Sequence, residues 1–311
     1  MKTIALVKDI NGFWKVYQPL LIRYGVGVEL LDVFQSAEQA RLISSDYDGF
    51  IWRTKHTPSR RNLARRLIYF MEIERSVPTF PEWKTFWHYD DKISQFYIFN
   101  RLRIPTPATH IFFNREDALA FCKNTDYPLI YKSSHGAGSA NVGLLQSKRQ
   151  AKAYVKKAFG SGIKTYFKSE IQKDYVYFQE FIAGNSGDFR LICLGTDIIS
   201  GFFRHNRKDS PFASGSGAFD VSELPMELLN FTAEIHQRCQ YDIMSYDIIR
   251  DQQNQWVITE MSVIYGDLTH TVYDQAPVYR KSNGNQWELI SPELNRHEQF
   301  IQFLLKKWSL V

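Results

Sequence analysis

Apolar positions in the first 71 residues alternate between short continuous runs and helical spacing. The runs predict strands over 3–7, 26–33 and 49–52, and the spacing predicts helices over 13–24, 36–43 and 58–71. Strands that alternate with helices are typical of a parallel sheet covered by helices. We therefore expect an N-terminal α/β domain over residues 1–88, which ends after Pro78 and Pro81.

Beyond residue 88 the strands follow one another more closely, and fewer helices separate them. Apolar runs predict strands over 108–113, 128–132, 175–182, 189–194, 197–204, 242–249 and 256–261. Helical spacing predicts helices over 90–102, 115–123, 222–239 and 292–308, with a short strand and a helix sharing 147–159. The segment 267–290 shows no clear period. The predicted class is α/β, with an α+β arrangement in this second part.

Composition narrows the function classes without selecting one. The 311 residues are 44% hydrophobic and 23% charged, which indicates a sizeable core rather than a disordered chain. No apolar run approaches the ~20 residues of a membrane-spanning helix, and the charged start does not fit a signal peptide. Cys122, Cys193 and Cys239 form neither a disulfide framework nor a zinc pattern, which indicates a reduced, cytoplasmic protein. A net charge of +5 is too small to indicate a nucleic-acid partner.

A loop rich in small residues follows the predicted strand 128–132. Lys132 ends that strand, and Gly136 and Gly138 lie in the loop over 133–143. Glycines let backbone N–H groups approach an anion closely, and a lysine supplies a point charge for phosphate. The loop is neither a Walker A motif nor a dinucleotide fingerprint. It predicts a phosphate site, with a flexible hairpin loop as the alternative.

A second feature is the end of the predicted strand 175–182. The residues that end it and precede a polar turn are Gln179, Glu180, Phe181 and Ile182. Backbone groups at such a strand end can meet the edge of a purine. An ordinary strand end is the alternative.

A third feature is a pair of carboxylates on neighbouring predicted strands. Asp247 and Glu260 interrupt apolar strand residues, where an unpaired charge is costly. Paired carboxylates beside a phosphate site suit Mg²⁺, which prefers oxygen ligands and the phosphates of a substrate. The alternative is that each acid pairs with an arginine or faces water.

In this order along the chain, the three features resemble the ATP-grasp superfamily, and within it the RimK-like glutamate ligases and the relatives of glutathione synthetase. The similar segments span 90–266 and include Asp90-Asp91-Lys92, Ile104-Pro105-Thr106-Pro107-Ala108-Thr109 and Asp188-Phe189-Arg190. Residues 47–71 are similar, more loosely, to the domain that precedes the ATP-grasp body. The resemblance implies an ATP-grasp fold over 89–311 behind a parallel-sheet pre-ATP-grasp domain. Its central lid subdomain would span about 108–182 and its C-terminal subdomain about 183–311.

The resemblance also implies a role for each matched residue. The expected ATP-binding residues are Lys92, Lys132, Gly136 and Gly138 at the phosphates, Gln179, Glu180, Phe181 and Ile182 at the adenine, and Asp188 near the ribose. Arg190 and Arg204 are the expected catalytic residues, facing the transferred phosphate or an acyl phosphate. The expected ligands of Mg²⁺, or alternatively of Mn²⁺, are Asp247, Glu260 and Ser262. The implied reaction joins a carboxylate to an amine through an acyl phosphate and releases ADP and phosphate.

Two segments depart from the family pattern. Ser262 stands where the family usually has the asparagine of a Glu-x-Asn motif, so one metal position is expected to pass to water. Residues 211–217 replace a loop with asparagine and arginine that helps relatives bind nucleotide and acceptor. The acceptor therefore stays open among an amino acid, a peptide and a saccharide-linked acid.

Two surfaces lie outside the matched motifs. The basic run Arg53–Arg66 is either a solvated helix face or a site for an anionic substrate. The aromatic segment that starts at Tyr265 is either a substrate wall or ordinary packing. This segment is the place to look for substrate specificity.

The expected partners are a small-molecule or peptide carboxylate and an amine, with no nucleic acid and no membrane. The oligomeric state stays open, although relatives often form homo-oligomers. An ATP-grasp kinase would use the same nucleotide residues, and so would a nucleotide-binding protein that has lost ligase activity, for which Ser262 is the main support. A nucleic-acid binder built on the basic run is a further alternative, and a steep salt dependence would identify it.

Overall fold

The computed structural model describes residues 1–136, 138–266, 271–282, 286–291 and 294–311. The strands within these ranges are β1 (Thr3–Val7), β2 (Gly27–Leu31), β3 (Gly49–Ile51), β4 (Thr79–Phe80), β5 (Thr109–Phe112), β6 (Leu129–Lys132), β7 (Val142–Leu145), β8 (Ile163–Lys164), β9 (Ile171–Gln172), β10 (Val176–Glu180), β11 (Gly187–Leu194), β12 (Ile198–His205), β13 (Phe219–Asp220), β14 (Ile243–Arg250), β15 (Trp256–Ser262), β16 (Val278–Lys281) and β17 (Trp287–Ile290).

The helices in the same ranges are α1 (Phe13–Arg23), α2 (Ser36–Ser44), α3 (Pro58–Tyr69), α4 (Trp83–Phe86), α5 (Lys92–Arg101), α6 (Arg115–Asn124), α7 (Lys148–Ala158), α8 (Met226–Cys239), α9 (Val272–Gln275) and α10 (Arg296–Lys307). A π-helical turn over Phe70–Glu74 extends α3. No helix of the described residues is long and apolar enough to cross a membrane.

The N-terminal sheet is parallel and has the order β2-β1-β3-β4. This confirms the parallel sheet predicted from alternating strands and helices. The C-terminal helix α10 packs against this part of the molecule, where Tyr17 of α1 stacks on Phe300 with ring centroids 5.2 Å apart. The first strands and the last helix of the chain therefore belong to one packed unit.

A second sheet, with the order β5-β10-β6-β7, is antiparallel and has its own hydrophobic core. Helices α6 and α7 contribute Ala118, Cys122, Ala151 and Val155 to this core. The short hairpin of β8 and β9 follows α7. The two central strands of this sheet end at Lys132 and at Gln179–Glu180.

The third sheet is antiparallel along β15-β14-β11-β12-β16-β17, and β13 pairs with β12. Its strands β11 and β14 and helix α8 share a continuous hydrophobic core with the N-terminal sheet. The division of the chain near residue 88 stays a prediction, because one core spans both sides of it. The mixed parallel and antiparallel sheets agree with the predicted class.

Side-chain caps mark several helix starts where the sequence places a polar residue. Asp91 accepts the N–H groups of Ile93 and Ser94 at α5, and Asn295 accepts the N–H of Glu298 at α10. The cap at Asn295 explains why α10 begins at Arg296, later than the predicted 292. Residues 292 and 293 of that prediction lie outside the described ranges.

The segment 267–290 contains regular structure that its sequence does not reveal. Its described residues form α9, β16 and β17, and the two strands make an antiparallel hairpin. Residues 267–270 and 283–285 of this segment lie outside the described ranges, as does residue 137 of the predicted phosphate loop. The strands β4, β8, β9 and β13 are also absent from the predictions, because two residues are too short to show a period.

Candidate active site

A cavity of about 420 Å³ lies where the second and third sheets face the N-terminal sheet. All of the residues predicted for nucleotide, catalysis and metal line it, although they come from strands, loops and one helix start that are far apart in the sequence. They are Lys92, Lys132, Gly136, Gly138, Gln179, Glu180, Phe181, Ile182, Asp188, Arg190, Arg204, Asp247, Glu260 and Ser262. A concave site with convergent polar groups is the usual form of a small-molecule site.

Lys132 is the last residue of β6 and is buried in the cavity wall. Burial lowers its pKa to about 8, because desolvation disfavours the charged ammonium. Neighbouring Lys92 lowers the pKa further, and Glu260 opposes the decrease. Lys132 has no ion-pair partner among the described residues and is therefore suited to accept an anion from outside.

Lys92, the first residue of α5, is buried beside Lys132 but has a different environment. Its Nζ lies 3.3 Å from Oε1 of Glu260 and donates a hydrogen bond to the carbonyl oxygen of Gly136 at 3.0 Å. Burial alone would lower the pKa of Lys92, but the carboxylates of Glu260 and Asp90 outweigh it and raise that pKa. Lys92 is thus held by an ion pair and a hydrogen bond, whereas the adjacent Lys132 is held by packing alone.

The loop between β6 and β7, which we call the phosphate loop, starts directly after Lys132. The N–H of Gly136 donates to Oδ1 of Asp90 at 2.8 Å. Gly136 has φ +124°, and a Cβ at this position would lie 2.5 Å from Nδ2 of Asn141. Only glycine therefore fits here. Gly138 also has positive φ, but a Cβ there meets nothing within 4 Å.

The predicted adenine hinge lies at the end of β10. The buried Gln179 side chain donates to Oγ1 of Thr109 at 2.8 Å, which fixes the strand end against β5. The N–H of Glu180 donates to the carbonyl oxygen of Ala108 at 2.8 Å. This N–H is already bonded to the residue that precedes β5, so a purine edge would meet the backbone of Phe181 and Ile182.

Neighbouring strands of the third sheet bring two arginines and two aspartates into one buried network. Arg190 on β11 faces Asp247 on β14 in the sheet register, and its Nε and Nη2 each lie 2.9 Å from a carboxylate oxygen. Arg204 on β12 pairs with both oxygens of Asp188 at 2.6 and 2.7 Å and also reaches Asp247 at 2.7 Å. Bidentate pairs of this kind fix the guanidinium planes.

The network shows which partners these side chains have in the structure. Asp247 pairs with two arginines, as one of the sequence-based alternatives allowed, and its role as a metal ligand stays a prediction. Burial would raise the pKa of Asp247, yet Arg190 and Arg204 outweigh it and hold that pKa far below its usual range. Asp188 was expected near the ribose, and both of its oxygens accept from Arg204. Both arginines therefore reach the cavity already neutralised in part.

The residues predicted to bind a divalent cation lie on β14 and β15. Asp247 and Glu260 are direct cross-strand neighbours, with an irregularity in the register just after Asp247. The Ser262 hydroxyl donates to the carbonyl oxygen of Ile264 at 2.5 Å, so towards the cavity it is an acceptor only. Among the described residues no group of three or more His, Cys, Asp or Glu side chains could hold a metal ion. Two carboxylates suit a cation whose other ligands are phosphates and water.

Several cavity residues were not predicted as site residues. Asp90 lines the cavity and is also bonded to the phosphate loop. The sequence feature that could have identified Asp90 as a site residue is its place in the Asp90-Asp91-Lys92 motif. Pro211, Phe212 and Ala213 line the cavity too, in the segment that departs from the family pattern.

The aromatic segment contributes part of the wall. Tyr265 lines the cavity and stacks on Tyr273 of α9, with ring centroids 5.9 Å apart. The hydroxyl of Tyr273 lies 3.4 Å from Nη1 of Arg190. The carbonyl oxygen of Tyr265 accepts from Arg53 at 3.0 Å. These contacts connect the segment to the arginine network.

The basic run Arg53–Arg66 is divided between internal ion pairs and solvent. Arg60 pairs with Asp9 at 2.9 Å, and Arg61 is only 1% exposed and pairs with two carboxylates. The exposed cations of the run are Lys55 and Arg66. A wholly solvated helix face is therefore a wrong description of this run.

Comparisons with known proteins agree with the geometry. Residues 89–265 match the family of the RimK-like ATP-grasp domain. The chain is 24% identical over 225 residues to the alpha-aminoadipate–LysW ligase LysX of Saccharolobus solfataricus. The matched region covers 71% of this chain and 76% of LysX. Among solved structures it resembles D-cycloserine synthetase DcsG, with a TM-score of 0.66, 13% identity, and 98% and 99% of the two chains covered. It also resembles D-alanyl-alanine synthetase A of Vibrio cholerae, with a TM-score of 0.65, 12% identity, and 99% and 98% covered. At these identities the structures support the fold alone.

Proposed function

The chain belongs to the RimK-like ATP-grasp family, a family of ATP-dependent carboxylate–amine ligases, and from that premise we propose how its own cavity carries the reaction. The observation that supports the proposal is the single cavity that collects two buried lysines, two cross-strand carboxylates and the hinge at the end of β10. Adenine would lie at Phe181 and Ile182, and the phosphates would point towards Lys92 and Lys132.

The first half-reaction transfers the γ-phosphoryl group of ATP to a substrate carboxylate and gives an acyl phosphate and ADP. Lys132 offers an unpaired cation to the triphosphate, and Lys92 offers a second one beside it. Charge placed in advance in a buried site needs no reorganisation during the transfer. The carboxylates Asp247 and Glu260, with water in place of an asparagine amide at Ser262, would hold Mg²⁺, which neutralises phosphate charge when bound.

The second half-reaction lets an amine attack the acyl carbon, after which phosphate leaves and the amine loses a proton. Arg190 and Arg204 face the cavity with their guanidinium planes fixed by Asp247 and Asp188. We assign these arginines to the oxyanion and the departing phosphate. Their pairing makes them positioned, partly neutralised donors rather than free charges. The phosphate loop would keep water from the acyl phosphate.

The proposed substrates are an amino acid or peptide that supplies the carboxylate and a second molecule that supplies the amine. The names of alpha-aminoadipate–LysW ligase and D-alanyl-alanine synthetase support amino-acid chemistry in relatives. Tyr265 and the residues 211–213 are the proposed selectivity elements, because both line the cavity. Residues 211–213 belong to the loop that departs from the family pattern, and Tyr265 starts the aromatic segment. A reduced, cytoplasmic location agrees with three buried and unbridged cysteines.

Release of ADP in the presence of individual amino acids and short peptides tests this proposal. A carboxylate that stimulates ADP release should yield a hydroxamate when hydroxylamine replaces the amine, and mass spectrometry should identify the amide product. A kinase that phosphorylates a hydroxyl group would release ADP without any hydroxamate. ADP release that persists in Lys132→Met would show that the cavity is not its source.

A further inference from the structure

Arg61 lies in the first turns of α3, in the N-terminal part of the chain, yet its side chain is buried against elements far away in sequence. Its Nη1 lies 2.7 Å from Oδ2 of Asp90, and its Nη2 lies 2.5 Å from Oε1 of Glu170. Asp90 precedes α5, and Glu170 lies in the turn between β8 and β9. One guanidinium thus joins three separate segments of the fold.

Both partners of Arg61 are connected to the phosphate loop. The second oxygen of Asp90 accepts the N–H of Gly136, whose carbonyl oxygen accepts from Lys92. The backbone of this one loop residue is therefore held at its N–H by Asp90 and at its carbonyl oxygen by a lysine assigned to the ATP phosphates. Because Arg61 holds the other oxygen of Asp90, it sets the orientation of the carboxylate that fixes Gly136.

The hairpin of β8 and β9 holds the loop from another direction. Oδ1 of Asn141 accepts the N–H of Tyr166 at 2.6 Å, and Nδ2 of Asn141 donates to the carbonyl oxygen of His135 at 2.9 Å. His135 Nδ1 also lies 4.0 Å from Glu170. The hairpin and the loop therefore form one hydrogen-bonded unit, and Glu170 is where this unit meets Arg61.

A second contact joins the same two parts of the molecule. The ring of His56, which precedes α3, lies 5.6 Å from the ring of Phe167 in the hairpin. The pair is a packing contact without the charge of the Arg61 network. The hairpin is thus docked on the N-terminal part by one ionic and one aromatic contact.

We infer that Arg61 is a positioning residue that docks the phosphate loop and the β8–β9 hairpin on the N-terminal part of the chain, and so orders the loop for the β- and γ-phosphates of ATP. The inference rests on the proposed function, because it concerns the nucleotide assigned to this cavity. Arg61 does not line the cavity and acts through Asp90 and Glu170. Loss of either ion pair should loosen the loop and leave the adenine hinge at β10 intact.

The test compares three single variants and one double variant by calorimetric titration with Mg·AMPPNP and with AMP. Glu170→Gln and Arg61→Gln should each weaken AMPPNP binding about five- to tenfold, and the double variant should be no weaker than the worse single one. AMP, which lacks the β- and γ-phosphates, should bind all variants as it binds the wild type. Arg66→Gln is the matched control, because Arg66 is an exposed arginine on the same helix that donates to Asn62 of its own helix.

The expected pattern differs from that of a merely structural role, which would lower the melting temperature and weaken AMP and AMPPNP together. AMPPNP affinity within twofold of wild type in Glu170→Gln, or additive losses in the double variant, would overturn the inference. Glu170→Gln keeps the test decisive if Arg61→Gln fails to fold, because Glu170 is partly exposed. A wild-type protein that binds no AMPPNP would instead overturn the proposed function, and the inference with it.

Discussion

Lys132 and Lys92 lie side by side in the cavity, but removing their charges should have opposite effects on stability. Lys132 has no carboxylate partner among the described residues, so its buried charge destabilises the folded protein through desolvation. Lys92 is paired with Glu260 and bonded to the loop carbonyl of Gly136. Methionine in place of either lysine keeps the length of the side chain and removes the charge.

The magnitude follows from the pKa of Lys132, which burial lowers from 10.5 to about 8. Each pH unit corresponds to about 1.4 kcal/mol, so the charged form costs the folded state about 3 kcal/mol. At pH 7 the lysine is protonated in both states and the whole cost is present. As the pH rises from 8 towards 10.5, the folded lysine loses its proton before the unfolded one, and the cost disappears.

Urea unfolding without nucleotide measures the effect. At pH 7 Lys132→Met should raise the free energy of unfolding by about 2–3 kcal/mol, and the gain should shrink by pH 9.5. Lys92→Met is the matched control and should lower the free energy of unfolding by about 2 kcal/mol, because it leaves the partly exposed Glu260 and a loop carbonyl unpaired. A Lys132→Met protein that is less stable than wild type at pH 7 would refute the reasoning.

Three further predictions concern the same cavity. Affinity for Mg·AMPPNP should fall by up to about tenfold per pH unit as the pH rises above about 8, because the bound anion needs a protonated Lys132. Lys132→Arg should remove this pH dependence in binding titrations from pH 7 to 9.5. Gly136→Ala should weaken AMPPNP binding more than tenfold, because the added Cβ would lie 2.5 Å from Asn141. Gly138→Ala should cost only about 1 kcal/mol of backbone strain, because its Cβ would meet nothing within 4 Å. Equal losses of AMPPNP affinity in the two variants would contradict the loop geometry. Glu260→Gln should reduce the rate of ADP release at least about 100-fold and raise the Mg²⁺ concentration that the reaction requires. Ser262→Ala should keep the rate of ADP release within about threefold of wild type, and a large loss in this variant would indicate that Ser262 binds the metal directly.

Much of the fold was predictable because its longer elements carry clear periods. The parallel strands β1 and β3 are short apolar runs, and α8 shows a continuous helical spacing over Met226–Cys239. The hairpin β16–β17 was missed because each strand has only four residues, and neither VYRK nor WELI alternates regularly between polar and apolar positions. Strands of two residues give no period at all.

The residue types of the candidate site were predictable, but their pairings were not. The phosphate loop, the hinge and the carboxylates are local patterns, and each occurs within a few residues of sequence. The pair of Arg190 and Asp247 depends on the register between β11 and β14, which local patterns do not contain. Arg61 and Glu170 are 109 positions apart and meet only because the hairpin folds onto α3. A basic run in the sequence therefore gave no sign of an internal contact.

Transfer of oxygen from substrate to phosphate tests the central claim most directly. A stimulating amino acid or peptide whose carboxylate is labelled with ¹⁸O is incubated with Mg·ATP, the amine and the protein, and the released phosphate is analysed by mass spectrometry. An acyl-phosphate ligase places one carboxylate oxygen in each phosphate, because the bridging oxygen leaves with phosphorus when the amine attacks carbon. We predict one ¹⁸O per phosphate for the wild type and no release for Lys132→Met. Amide formation with unlabelled phosphate would contradict the account.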